Sequence, residues 1–456
     1  MKLRNFAFVL LLGVCAYFMQ GCGGTNNVNI LQEGIAHIVH DTAGTITAWN
    51  IEPSVGTLTA MSASPISGAA LFSQSTPSLS AKLTLADDRL LLCEQISATI
   101  RAFDLNETTG AVTVAGAETA LPGTAFNPRF MAAVDNVICV FGRQGVATTG
   151  IEFTTLVYDN STASLTNAPG TPFTPNQTRY LPDAFIIEGG NLYLITQTAT
   201  NTNLFAERHE VNSTTGLVTY QGGVDLGTRV GGNSGNGAPD GRSLVRSGNY
   251  LYAYVGGLGG PQTDYPVAAL LETDGTGALT LLDTDDDVSG NVWGSWGGAV
   301  TLGDRFYVGV SNTNTNDAQI FCFEVSATKQ LELVTGFPMV VPGGDQVLRL
   351  DGVFGNVIYF HIGDGADAEL RTATVDTTTG ALTFTTQSHL HGGGGMVPNT
   401  VVRQGKLLVI GMSGQARVHV FTLDSTTGEL TLVSEYTAAD GVAAGVRHLP
   451  DIRLTN

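Results

Sequence analysis

The chain alternates short apolar runs with short polar turns, and one turn is written repeatedly. It reads "LNETTGAVTV" at 105–114, "VNSTTGLVTY" at 211–220, "VDTTTGALTF" at 375–384 and "DSTTGELTL" at 424–432. Before it stand alternating segments such as "TIRAFDL", and after it segments such as "AVTVAG". Period-two runs on both sides of a Gly-bearing turn predict a hairpin, with the Gly at positive φ. That Gly, or its equivalent, falls at Gly56, Gly110, Ala163, Gly216, Gly277, Lys329, Gly380 and Gly428, at intervals of 48 to 61 residues. Ala163 and Lys329 lack the glycine, so their turns are expected to be the least regular.

A second joint lies between these marks. "VDNVICVF", "EGGNLYLIT", "LGDRFYVGV" and "FGNVIYFHI" each run from a strand through a tight polar turn into an apolar strand. Each unit therefore holds four antiparallel strands, and a period near fifty predicts a propeller built from such blades. Eight outer hairpins are present but seven inner ones. The missing inner strand is found at the far end of the chain. "RYLPD" at 179–183 opens one inner strand, and "RHLPD" at 447–451 repeats it. Residues 449–454 are thus expected to join "AHIVHD" and "TITAWNI" in the first blade, closing the ring without an open sheet edge. The fold class is all-β: an eight-bladed propeller, with seven blades as the alternative.

The turn "DSTTGELT" and the Pro-Arg pair before the strand in "NPRFMAAVDN" resemble the bacterial lactonase-like propellers, relatives of 6-phosphogluconolactonase. The resemblance covers essentially all of 35–456 and lies in residues that build blades. It implies a propeller fold, seven blades in the family against eight units here, and a possible lactone substrate. Fold and activity are separate inheritances.

Composition adds location. Residues 1–21 are expected to be a signal: "MKLR" is basic and "FAFVLLLGVCAYF" apolar. Gly21-Cys22 then resembles a bacterial lipoprotein box, with 22–34 as lipidated Cys and tether; a plain secretory signal cleaved nearby, or an uncleaved anchor, is the alternative. Gly after Cys22 resembles the sorting pattern for the outer membrane, so the expected location is the bacterial cell envelope, with membrane contact only through the lipid. With 40 acidic and 21 basic residues the net charge is −19, which disfavours nucleic acid as a partner. Cys93, Cys139 and Cys322 sit in apolar runs at spacings unlike metal sites, so they read as small buried hydrophobes.

Variable loops on a rigid scaffold carry function. Here these are the outer-to-inner connections, on the face opposite the short turns. Arg129, Arg179, Asp240, Arg242, Trp293, Trp296 and Arg447 are candidate ligand-binding residues near the channel mouth. The arginines form either an anion-binding cluster or bridges between blades. Asp183, Asp451 and His448 are candidate bases if the protein is a hydrolase. His389 and His391 share a face of an extended strand without an identifiable third metal ligand. In "DTDDDVSGN", Asp283, Asp285 and Asp287 offer oxygens to Ca²⁺. Val288 and Gly294 stand where the EF-hand loop needs Gly and Glu, so no cofactor is expected.

Two functions fit. The favoured one is an envelope-tethered scaffold that binds a protein, glycan or small molecule through its loop face. The alternative is a lactonase-type hydrolase of a small lactone. Lipidation gives a direct test: a radioactive fatty acid should label the wild type in cells and leave Cys22→Ala unlabelled.

Overall fold

The computed structural model describes residues 34–454 except 41–44, 53–56, 68–70, 74–78, 86–88, 95, 107, 123–125, 145–150, 174–178, 198–202, 229–241, 256–266, 286–292, 295–297, 313–316, 344–347, 364–367, 391–397, 413–416, 441–445 and 449–451. Among these residues the strands sort into eight antiparallel sheets, each built around four strands. They are numbered here as blades 1 to 8 in chain order. Blade 4 is typical, with strands Arg179–Glu188, Asn191–Gln197, Asn203–Val211 and Val218–Thr228 running from the axis outward.

Blade 1 is the composite one. Its second, third and outer strands are Gly34–His40, Thr45–Ile51 and Leu58–Ala60, and its inner edge is Val446–His448 and Ile452–Leu454. His448 pairs with Val39, and Leu454 with Gly34. The closing strand predicted from the repeated Leu-Pro-Asp is therefore in place. At the rim the Tyr436 hydroxyl donates to the Leu58 carbonyl at 2.8 Å and accepts from the Leu58 N–H at 2.6 Å. Its ring lies 5.0 Å from that of Trp49.

The core is divided into slabs, one at each blade junction. Leu407, Val409, Val418 and Val420 of blade 8 meet Trp49, Ile51 and Leu58 of blade 1, so the slab at the closing seam resembles the others. Because each sheet is covered on both faces, its second strand is apolar over most of its length instead of alternating. In "VIYFHI", Val357–Ile362, every residue is buried. Burial also explains the cysteines. Cys93, Cys139 and Cys322 are buried and free, and burial pushes the thiols of Cys139 and Cys322 up to about 12.

The repeated turn is a hydrogen-bonded device. Asp424 Oδ1 accepts from the N–H groups of Thr426 and Thr427 at 2.8 and 2.7 Å. Asn106, Asn212 and Asp376 do the same in their turns. The last Thr accepts the N–H just beyond the Gly, as Thr427 does from Glu429. Gly110, Gly216, Gly277, Gly380 and Gly428 have φ between 71° and 82°. Ala163 and Lys329 take the same conformation, at 53° and 61°. The Ala163 turn keeps the Asp-headed form, contrary to the expectation of irregularity, whereas the Lys329 turn, like that of Gly277, is one residue shorter and closes from Lys329 N–H to Ser326 O; closure of the hairpin outweighs the strain of a Cβ at positive φ.

That conformation turns the Gly carbonyl toward the preceding blade. Thr155 Oγ1 donates to Gly216 O and Thr372 Oγ1 to Gly428 O, both at 2.7 Å. The hydroxyls of Tyr193 and Tyr307 donate to Gly277 O and Gly380 O at 3.1 Å. Space is tight there: a Cβ on Gly428 would lie 3.0 Å from Thr385 Cγ2 and 3.2 Å from Thr372 Oγ1. Gly428→Val should therefore lose about 1–3 kcal/mol of stability from backbone strain alone, measured as a lower melting temperature with the fold retained by circular dichroism.

Candidate functional site

The channel-side edge of blade 7 carries a buried charged cluster. In its inner strand, Leu348–Phe354, Leu348 and Leu350 pack against blade 6, which leaves Arg349 facing blade 8. The register then slips between Leu350 and Gly352. Asp351 is the extra residue of this bulge and, two positions from Arg349, has its side chain on the same side. Arg349 Nε donates to Asp351 Oδ1 at 2.6 Å. His361, the direct cross-strand partner of Arg349, contacts Asp351 Oδ2 through Nδ1. The side chains of Asp351 and His361 are 5% and 4% exposed, and that of Arg349 25%. Only the arginine reaches solvent appreciably.

Two opposing effects set the charges. Burial would raise the Asp351 carboxyl, but the Arg349 charge and the hydrogen bonds from Arg349 and His361 outweigh it and hold it below the usual range. Burial lowers His361, and Asp351 offsets that only in part. At neutral pH the cluster is thus an arginine cation, a carboxylate and an uncharged imidazole. The carboxylate accepts from Nδ1, so the basic lone pair of His361 is on Nε2. The cluster sits at the end of the strands that leads to the loop face.

Farther from the axis the same junction holds a second polar group. Leu370 pairs with both His361 and His389 across blade 7. The His389 ring meets the His419 ring of blade 8 edge-on at 5.2 Å, and His419 Nε2 lies 3.7 Å from Glu435 Oε1. Burial pushes His419 down to about 4 and lowers His389 as well. Among the described residues no three His, Cys, Asp or Glu side chains are arranged to hold a metal ion.

Of the residues singled out from sequence, His389 lies in this group at the end of the outer strand of blade 7; His391 falls outside the described residues. Arg129, Arg179, Asp183 and Arg242 lie within inner strands of blades 3, 4 and 5, not before them, with Arg129 at the bulge of its strand. Trp293 is in a short strand of blade 6, and Arg447 and His448 in the closing strand of blade 1. The side chains of these seven lie outside the described residues, as do Cys22, Asp240, Trp296, Asp451 and Asp287 entirely. Asp283 accepts from Thr284 N and Leu331 N through its two carboxylate oxygens, tying blade 5 to blade 6. The side chain of Asp285 is also outside the described residues.

No protein-family model matches the chain, and no curated protein matches it in sequence. Solved structures do match. A putative 6-phosphogluconolactonase from Bacteroides uniformis is 12% identical, over 92% of this chain and 99% of that one, with a TM-score of 0.53. A periplasmic gluconolactonase from Pseudomonas aeruginosa is 11% identical, over 93% and 99%, with the same TM-score. The chain has the fold of the 6-phosphogluconolactonase-like β-propellers. This propeller builds that fold from eight blades. No helix among its described residues is long and apolar enough to cross a membrane.

The histidines of the blade 7–8 junction make the propeller acid-sensitive. His361, His389 and His419 have lowered folded-state values, so the unfolded chain binds protons first as pH falls below about 6.5. Stability should be full above that value and decline toward pH 4. His419→Leu should flatten this decline in a plot of melting temperature against pH, removing about 1–3 kcal/mol of the pH-dependent loss.

Proposed function

We propose that the protein is an exported lactonase-like propeller that binds a small sugar-acid lactone at its loop face and hydrolyses it. The observation that carries this reading is the Arg349–Asp351–His361 cluster. Asp351 fixes the His361 tautomer, and burial keeps the imidazole uncharged, which is what a general base near neutral pH requires. In the proposed step His361 Nε2 takes a proton from water and the oxygen attacks the lactone carbonyl. The ring C–O bond breaks, and the leaving alkoxide takes the proton back, giving the open hydroxy acid. Arg349, the exposed member, offers its guanidinium to the carbonyl oxygen as negative charge develops.

The fold neighbours support the substrate class, since one is named a periplasmic gluconolactonase. Export is supported by the basic and apolar opening of the chain, and tethering by Cys22. Asp183, Asp451 and His448, with Arg129, Arg179, Asp240, Arg242, Trp293, Trp296 and Arg447, remain proposed contributors to the same face.

Binding to a protein, glycan or small molecule without turnover is the second reading. It is favoured by the engagement of both Asp351 oxygens inside the cluster, an arrangement that also suits a fixed recognition surface.

Acid release from glucono-δ-lactone, measured against spontaneous opening, decides between them. The wild type should accelerate it, and His361→Gln should lose about 10²–10⁴-fold in kcat/KM. Calorimetric binding of the lactone with no acceleration would establish the binding propeller. Full activity in His361→Gln would move the base to another blade.

A further inference from the structure

We propose that the cleft between blades 4 and 5 on the turn face is a binding site for a saccharide carrying a single carboxylate. It lies on the side of the ring away from the loop face and does not depend on the function proposed above.

The repeat itself exposes the site. Four residues before the residue that opens each outer turn, one side chain of the third strand faces the next blade. In chain order these are Ala48, Ala102, Thr155, Arg208, Leu270, Cys322, Thr372 and Val420. Seven are apolar, small or hydroxyl-bearing. Arg208 alone is charged, at a position the scaffold otherwise uses for packing.

Three neighbouring positions have changed with it, as comparison with the junction of blades 6 and 7 shows. There Cys322, Val353 and Val375 form an apolar floor. Arg305 spans the notch above, its Nη1 and Nη2 donating at 2.8 Å to the carbonyls of Thr377 and Thr378 in the next turn. At the junction of blades 4 and 5 the equivalents of Cys322, Val353 and Val375 are Arg208, Arg246 and Thr273, read from matching strand registers. Asn191 replaces Arg305. The short Asn191 leaves the notch open, and a cavity of about 680 Å³ results, large enough for a disaccharide unit.

The chemistry of the lining selects the ligand. Arg246 is occupied: it pairs with Glu188 and donates to Thr273 Oγ1 and Gly248 O. Arg208 is held by one bond, from Nε to Asn191 Oδ1 at 2.8 Å. Its two Nη groups have no hydrogen-bond partner among the described residues. A guanidinium fixed at Nε presents its Nη edge as a fork for one carboxylate. The rest of the lining opposes further negative charge. Asp135, Glu188, Glu210 and Asp274 stand against two arginines, which disfavours a dianion such as a phosphate ester. Carboxylates and Asn191 are instead acceptors for hydroxyl groups. One acid function on a polyhydroxylated body satisfies both demands, as in a uronic acid.

Isothermal calorimetry on the mature chain tests this with D-glucuronate, D-glucose and D-glucose 6-phosphate. Glucuronate should bind at least about tenfold more tightly than either competitor, as expected for one charge-assisted bidentate contact. Arg208→Gln should remove that preference while leaving the melting temperature within a few degrees. Asn191→Arg, which restores the notch filler of blade 6, should abolish binding by occupying the cavity. His361→Gln should bind glucuronate like the wild type, which separates this site from the loop face. A trisaccharide of glucuronate binding more tightly than the monomer would identify a polymer end as the natural source; equal affinity would identify the free acid. The proposal is overturned by absence of glucuronate binding, by tighter binding of glucose 6-phosphate, or by binding that survives both Arg208→Gln and Asn191→Arg.

Discussion

Among the described residues, a carbonyl aimed backward by one left-handed residue joins the outer turn to the blade before it at four junctions. In each of the four a buried Thr or Tyr hydroxyl donates to it. Such a bond contributes only about 1 kcal/mol net, but an unsatisfied buried acceptor would cost about 1–3. Its larger effect is geometric. A ring must repeat one inter-blade angle without accumulated error, and a short directional contact at the rim of a slab fixes that angle better than non-directional apolar packing. Thr on the third strand and Tyr on the second are two routes to the same acceptor.

Most of this architecture is written locally. Asn or Asp at the head of the turn, Thr before the Gly, and the Gly itself each have one backbone task, so the turn can be read from nine letters. The closing strand was legible because Arg447 to Asp451 repeats the opening of the blade 4 inner strand. Ala163 and Lys329 show where such reading misleads. A missing Gly suggests a different turn, yet the hairpin imposes the left-handed φ on whatever residue stands there.

The chemistry was harder to see, for reasons peculiar to each group. Asp351 stands two positions from Arg349, so alternation puts the two on one face, but only the pairing register of the next strand sets His361 against them. His361, ten positions on, sits inside an apolar run and reads as core. Sequence reasoning instead favoured arginines and aspartates at strand openings. Those bear on function only through side chains beyond the described residues. Arg208 did leave a signal. "ERHE" interrupts a third strand, with Arg208 where other blades carry apolar, small or hydroxyl-bearing residues. Comparing equivalent positions across the eight units brings the anomaly out.

The closing seam also orients the molecule. Gly34 pairs with Leu454 and with Ile51, which leads into the outer turn of blade 1, so both ends of the ring emerge side by side from the turn face. The tether proposed for residues 22–34 would therefore join the ring on that face. Cys22 is twelve positions upstream of Gly34, a leash of at most about 40 Å when extended. A lipid on Cys22, as proposed, would keep the turn face, with the cleft between blades 4 and 5, nearest the surface that holds it. The loop face, with Arg349, would then look away from that surface, which sets the two proposed sites on opposite sides of the ring.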